Sequence, residues 1–341
     1  MTQKHPYDPH LAYHFINMAL ASEAQPMWEV DDGKNPDLED LFAIPRQYYE
    51  ALFAASRTPI DAIYDDIHQY VKGHYEAVGV IRIGAEIVPD YLETDVNWEL
   101  SEVDSFERVV TIMNSYSRRV TETITNTVRY SFSRLLMGYA LRAKDGSHGV
   151  IVMRGTMTVD EWLNNMNYRL IPFHPLDEQY GKVHNGFRDV YKGIRGRYRQ
   201  LVQEFAPDKP LYLVGHSLGA VVSQLAALDL ALKNPERADQ IQVYAFAPPR
   251  IGDPTFAKVY DQAVATSYRI VNVCDVVPYI PFEEMDTLVD VRAYPYADTK
   301  GELAYVHQAG NPIANHISSY HIATRLQVPA EIDISQPRSL P

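Results

Sequence analysis

Residues 211–214 (Leu-Tyr-Leu-Val) form a short apolar run that leads directly into Gly215-His216-Ser217-Leu218-Gly219. The chain then continues with Ala220, Val221, Val222, Leu225, Ala226, Leu228 and Leu230. The run has the length of a buried strand, and its continuation has the periodicity of a helix. A strand that turns into a helix around a single serine constrains the fold strongly. The turn is too sharp for side chains at Gly215 and Gly219, and it holds Ser217 in a strained backbone conformation above the sheet. The helix N-terminus beneath it offers free N–H groups to a developing oxyanion, and the backbone N–H of Leu218 is the natural first donor.

From about residue 125 onward strands and helices alternate. Residues 130–143 and 148–153 flank a hairpin-like turn at Lys144-Asp145-Gly146-Ser147. Helices are predicted over 186–205, 217–233, 254–263 and 316–326, with strands over 242–246 and 268–273. This order predicts an α/β fold with a mostly parallel central sheet and helices on both faces. The first 120 residues read as mostly helical, over 9–24, 45–55 and 59–74, the last with Ile60, Ile63, Ile67 and Val71 at helical spacing. Residues 78–91 could pair as strands. The expected organisation is a single domain, 1–341, in which residues 1–120 are an N-terminal extension packed on a catalytic core spanning 125–330.

The 46 % hydrophobic content suits a globular core, and the net charge of −13 argues against nucleic acid and anionic membrane surfaces as partners. An uncharged ester or lipid is not repelled. The one cysteine, Cys274, excludes an intrachain disulfide and fits a reducing compartment. The apolar stretch 15–21 has no basic flank and is interrupted by His14 and Asn17, so it reads as a helix rather than a signal peptide. No run reaches the length of a membrane span. The chain is expected to be soluble, cytoplasmic or exported by a signal-independent route, with its oligomeric state open.

A serine hydroxyl becomes a nucleophile when a histidine takes its proton and a carboxylate orients that histidine. In this fold the acid follows the serine and the histidine comes last. Asp275 stands at the end of the 268–273 strand, where active-site loops gather, although an aspartate before Pro278 also suits a turn.

Five segments, in order, resemble the fungal-type class 3 lipase family of the α/β-hydrolase superfamily. They are Met153-Arg154-Gly155-Thr156, Val183-His184-Asn185-Gly186-Phe187, the Gly215–Gly219 turn, residues 246–253 (Phe-Ala-Pro-Pro-Arg-Ile-Gly-Asp), and residues 272–278 (Asn-Val-Cys-Asp-Val-Val-Pro). The resemblance spans about 125–325 and suggests a divergent, bacterial-looking member with an N-terminal extension. It implies the α/β-hydrolase fold, Asp275 as the acid and a histidine before a late tyrosine. Asn315-His316-Ile-Ser-Ser-Tyr320 matches best, with His321 and His307 as competitors. It also implies Thr156 as the second oxyanion donor and a lid over 157–175.

The lid helix would present Val159, Trp162, Leu163 and Met166 on one face, and it would make transient contact with a lipid surface. A permanently packed surface helix is the plainer reading. No cofactor is implied, and His316 with His321 lacks a companion at a metal-ligand spacing. His184 and His216 are expected to support the structure. The 246–250 loop shapes an acyl-side wall or serves as a rigid connection. The function expected is a serine lipase hydrolysing acylglycerols through an acyl-enzyme. A soluble-ester hydrolase of the same fold (feruloyl-type esterase or phospholipase A1) and a catalytically silent lipid-binding protein are the alternatives.

Overall fold

The computed structural model describes residues 3–24, 46–54, 59–82, 136–155, 169–176, 178–281, 284–285, 294–330 and 332–336. Helix α1 is Pro9–Ala24, α2 is Arg46–Phe53, and α3, Ile60–Asp65, runs on through a π-helical segment Asp66–Val71 and a last turn Lys72–His74. Strands β1 (Tyr75–Arg82), β2 (Leu136–Ala143) and β3 (Gly149–Met153) come next, followed by the short strands β4 (Leu170–Pro172) and β5 (Lys182–His184). Helix α4 (Asn185–Val202), β6 (Leu211–His216), α5 (Leu218–Lys233), β7 (Ile241–Phe246), α6 (Pro254–Ala263) and β8 (Thr266–Asn272) alternate as the sequence predicts. The described chain closes with β9 (Glu284–Met285), β10 (Tyr294–Pro295), β11 (Glu302–Tyr305), α7 (Pro312–His316) and α8 (Ser318–Gln327).

Seven strands form one sheet in the order β1-β2-β3-β6-β7-β8-β11. The first two pairings are antiparallel and the other four are parallel. Gly146, at φ +70, closes the predicted hairpin between β2 and β3. Alternate residues of each central strand face opposite sides. On β6, Leu211 and Leu213 pack with α4 and α5, whereas Tyr212 and Val214 pack with α1. Helices thus cover both faces of a mostly parallel sheet, and a strand–serine–helix turn lies at its centre. This is the α/β-hydrolase arrangement.

The N-terminal segment is part of that core. Every residue from His10 to Glu23 is buried, as an all-round apolar helix requires. Its polar members need partners inside, and they have them. Asp66 Oδ1 lies 2.7 Å from His14 Nδ1, and Asp66 Oδ2 accepts from Asn17 Nδ2 at 2.9 Å. Asn17 Oδ1 in turn lies 2.7 Å from His321 Nδ1, so α1 is stitched to α8 by a buried polar chain. Strand β1 adds a further edge to the sheet and covers part of the predicted 78–91 pairing.

One expectation is adjusted. The predicted 316–326 helix is two helices broken at Ile317, so His316 ends one rather than starting the other. Of the stretch read as a lid, 157–175, the described residues include β4, which pairs antiparallel with β5. Thr156, Trp162, Leu163 and Met166 lie outside the described residues.

Three buried histidines make stability depend on pH. Burial lowers the pKa of His148 to about 4, of His184 to about 3 and of His321 to about 4. Each unfolded ring takes up a proton near pH 6.5 and each folded ring does not, so stability falls as pH drops from about 6.5 to about 4. Three such protons amount to a slope of up to about 4 kcal/mol per pH unit. Urea unfolding at stepped pH checks this, and His148→Gln is expected to remove about a third of the histidine contribution.

Candidate active site

Ser217 joins β6 to α5 with φ 55 and ψ −123, a left-handed conformation that a non-glycine residue adopts only where its surroundings impose it. Those surroundings are backbone. A Cβ on Gly215 would lie 2.2 Å from the carbonyl carbon of Gly219, and one on Gly219 would lie 2.1 Å from the carbonyl oxygen of Met153. The elbow is therefore pressed between its own helix and the end of β3. Ser217 N–H donates to the Phe246 carbonyl at 2.9 Å, which fixes the residue to β7 as well. Leu218 opens α5, so its N–H belongs to the first turn, which has no intrahelical acceptors. The contact of Gly219 with Met153 and Arg154 brings the chain preceding Thr156 beside that N–H.

Asp275 follows β8 and is buried. Its Oδ1 accepts from the Val277 N–H at 3.0 Å. Its Oδ2 accepts from His316 Nδ1 and from the Tyr320 hydroxyl, both at 2.8 Å. With Nδ1 donating, His316 Nε2 is left as the basic nitrogen. His316 Nε2 and Ser217 Oγ are both buried, and neither has a hydrogen-bond partner among the described residues. The two side chains belong to adjoining segments. The ring of His216, next to the serine, lies 4.7 Å from the His316 ring, and its Nε2 lies 2.7 Å from the His316 carbonyl oxygen. A Ser–His bond that forms only with substrate in place is common in unliganded hydrolases.

The competing histidines go elsewhere. His321 is engaged with Asn17 and held neutral by burial. His307 contributes its backbone: its carbonyl accepts from Asn272 Nδ2 at 2.9 Å and its N–H donates to Asn272 Oδ1 at 3.1 Å. Among the described residues no group of three or more His, Cys, Asp or Glu side chains is placed to hold a metal ion.

Four residues around the site were not singled out from sequence for the parts they play. Asn272 ties the acid loop to the histidine segment, donating to the Asn315 carbonyl at 3.1 Å and to Ser319 Oγ at 2.9 Å. Asn315 returns the link, donating to the Cys274 carbonyl at 3.0 Å. Tyr320 bridges Asp275 and the Asn272 N–H, from which its oxygen accepts at 3.1 Å. Glu23, 193 residues before His216, places Oε1 2.8 Å from His216 Nδ1. The asparagines lay inside quoted segments, but their partners depend on tertiary structure. Nothing local to Glu23 gave a signal beyond a carboxylate closing an apolar helix.

His184 accepts from the Gly186 N–H at 3.1 Å through Nδ1 and caps α4, a structural part that its depressed pKa suits. The 246–253 segment is rigidly tied. Arg250 donates to the Tyr279 carbonyl at 2.7 Å and to Asp298 at 3.1 Å, and Asp253 caps α6 by accepting from Phe256 N–H at 2.8 Å. These bonds describe a fixed connection.

Comparison with known proteins gives matches over part of the chain. A model described as lipase (class 3) matches residues 150–285. A lipase of Rhizopus niveus is 30 % identical over 148 residues, 42 % of this chain and 37 % of its own length. A rice protein (Oryza sativa subsp. japonica) described as phospholipase A1-II 4 is 31 % identical over 209 residues, 50 % of this chain and 52 % of its own. The solved structure of lipase II from Rhizopus niveus aligns with a TM-score of 0.40 at 29 % identity, over 43 % of this chain and 56 % of that one. The chain spans between about a third and about a half of the length of these curated relatives.

Tyr320→Phe removes one donor from buried Asp275 and orphans the Asn272 N–H. Leaving such groups unpaired costs about 1–3 kcal/mol, so urea unfolding should show a loss of that size. A loss below about 0.5 kcal/mol would mean that the bridge carries no weight.

Proposed function

We propose, from the match of residues 150–285 to the class 3 lipase model, that the chain is a serine lipase that hydrolyses acylglycerol esters through an acyl-enzyme. The observation that supports this most is a single one. Buried Ser217 stands on a strained strand-to-helix turn, and its neighbour His216 packs against His316, whose Nδ1 is bonded to the buried Asp275 carboxylate.

In this reading His316 Nε2 takes the Ser217 proton as Oγ attacks the ester carbonyl. The tetrahedral oxyanion is held by the N–H of Leu218 and by Thr156, and Asp275 stays ionised to stabilise the imidazolium. His316 then passes its proton to the departing alcohol, and water repeats the cycle on the acyl-enzyme. No cofactor enters the scheme. Trp162, Leu163 and Met166 would form the apolar face of a lid that opens against a lipid surface, so the partner is a lipid interface met transiently. Among the described residues no helix is long and apolar enough to cross a membrane.

The rice relative described as a phospholipase A1 matches more of the chain than the Rhizopus lipase does. That favours phospholipid sn-1 ester hydrolysis as the second reading.

Rates on a series of esters of increasing chain length, each below and above its solubility limit, separate the substrates. The lipase reading expects a jump in rate once acylglycerol droplets form. A peak on short soluble esters with no such jump would sink it, and faster turnover of diacyl phospholipid than of acylglycerol would install the second reading. In the same assay Ser217→Ala should lower kcat by about 10⁵-fold or more, and Asp275→Asn by about 10⁴-fold.

A further inference from the structure

His216 is wholly buried and makes two short hydrogen bonds whose chemistry fixes its protons. Its Nε2 lies 2.7 Å from the His316 carbonyl oxygen, and a carbonyl oxygen only accepts. Nε2 therefore carries a hydrogen. Its Nδ1 lies 2.8 Å from Glu23 Oε1. A bare ring nitrogen and a bare carboxylate oxygen repel each other at that distance, so a proton lies between them as well. We infer that Glu23 and His216 hold this proton as a buried imidazolium–carboxylate pair, and that the pair is a positioning device. Through His216 Nε2 it pins the backbone of the catalytic base His316. The consequence for catalysis rests on the hydrolase reading above; the proton itself does not.

The surroundings fit a retained ion pair. Burial disfavours the cation, but the charge and hydrogen bond of Glu23, with the His316 carbonyl, outweigh it and raise the pKa of His216 above its ordinary value. The described groups around His216, its partner Glu23 included, come from five elements. Glu23 comes from α1 and His316 from α7, and Tyr320 of α8 has its ring 5.7 Å away. Asp275, in the loop after β8, adds a favourable charge at longer range. Arg154, at the end of β3, is buried and interacts with Glu23. The seat for Glu23 depends on Gly155, because a Cβ there would stand 2.4 Å from Glu23 Oε1 and 3.0 Å from the His216 carbonyl oxygen. One carboxylate of α1 thus braces the base side of the site and the backbone that leads to Thr156.

The test uses the full chain labelled with ¹⁵N-histidine. The wild type should show one histidine, assigned by its loss in His216→Gln, with both ring nitrogens still protonated above pH 6.5. Glu23→Gln can still donate an amide N–H to a neutral His216, so the geometry survives while the second ring proton is lost. Its kcat on a soluble ester should stay within about threefold of wild type. Glu23→Leu removes the pin, and kcat should fall about tenfold or more at unchanged KM.

The proposal is overturned if His216 carries a single ring proton, as it would beside a protonated Glu23, or titrates like an ordinary histidine. It is also overturned if folded Glu23→Leu keeps wild-type kcat. Should Glu23→Leu not fold, the wild-type and Glu23→Gln spectra still decide the proton. A wild type that hydrolyses no ester would fail the hydrolase reading and leave the ring-nitrogen signal standing.

Discussion

The contact of Gly219 with the carbonyl oxygen of Met153 is the constraint from which the site is built. A Cβ at residue 219 would lie 2.1 Å from that oxygen, so helix α5 begins directly against the end of β3. That approach forces the left-handed backbone at Ser217, and it places the Leu218 N–H beside the chain that leads to Thr156. Ser217 and the Leu218 N–H, the candidate oxyanion donor next to it, thereby take their positions from packed backbone. Fixed donors need no reorganisation as charge develops, which is where such sites gain most of their advantage.

The other half of the site is held by hydrogen bonds between loops. Asn272 donates to the Asn315 carbonyl and Asn315 to the Cys274 carbonyl, so the segments that carry Asp275 and His316 are tied together by two hydrogen bonds. Asp275 is buried and accepts three hydrogen bonds, which offset the cost of removing a carboxylate from water. Behind this pair, α1 closes the core with a chain of polar contacts from His14 through Asp66 and Asn17 to His321. The pair and the elbow meet where His216 touches His316. The site thus depends on a helix far from it in sequence.

What was legible in the sequence was what depends on local spacing. The apolar run 211–214, the glycines around Ser217 and the alternation after residue 125 led to the sheet and its central turn, because neighbours in sequence impose those conformations. Asp275 and His316 were legible as segments, and the resemblance already favoured His316 over His321. His321 points to Asn17, a partner 304 residues away. The same distance hid Glu23. His14 and Asn17 were read as interruptions of an apolar stretch, whereas they form the polar seam of a buried helix. The break at Ile317 was missed because nothing in Asn315-His316-Ile-Ser-Ser-Tyr320 marks a helix end. Ile317 is buried in the cluster that holds α1.

The central claim is that Ser217 is the nucleophile and that His316 activates it. Stoichiometric reaction with an organophosphonate, in detergent and followed by peptide mass spectrometry, tests it most directly. The account predicts one phosphonyl group per chain, on Ser217, at a rate reduced by several orders of magnitude in His316→Ala. Labelling at another residue, no labelling of folded protein, or an undiminished rate in His316→Ala would contradict it.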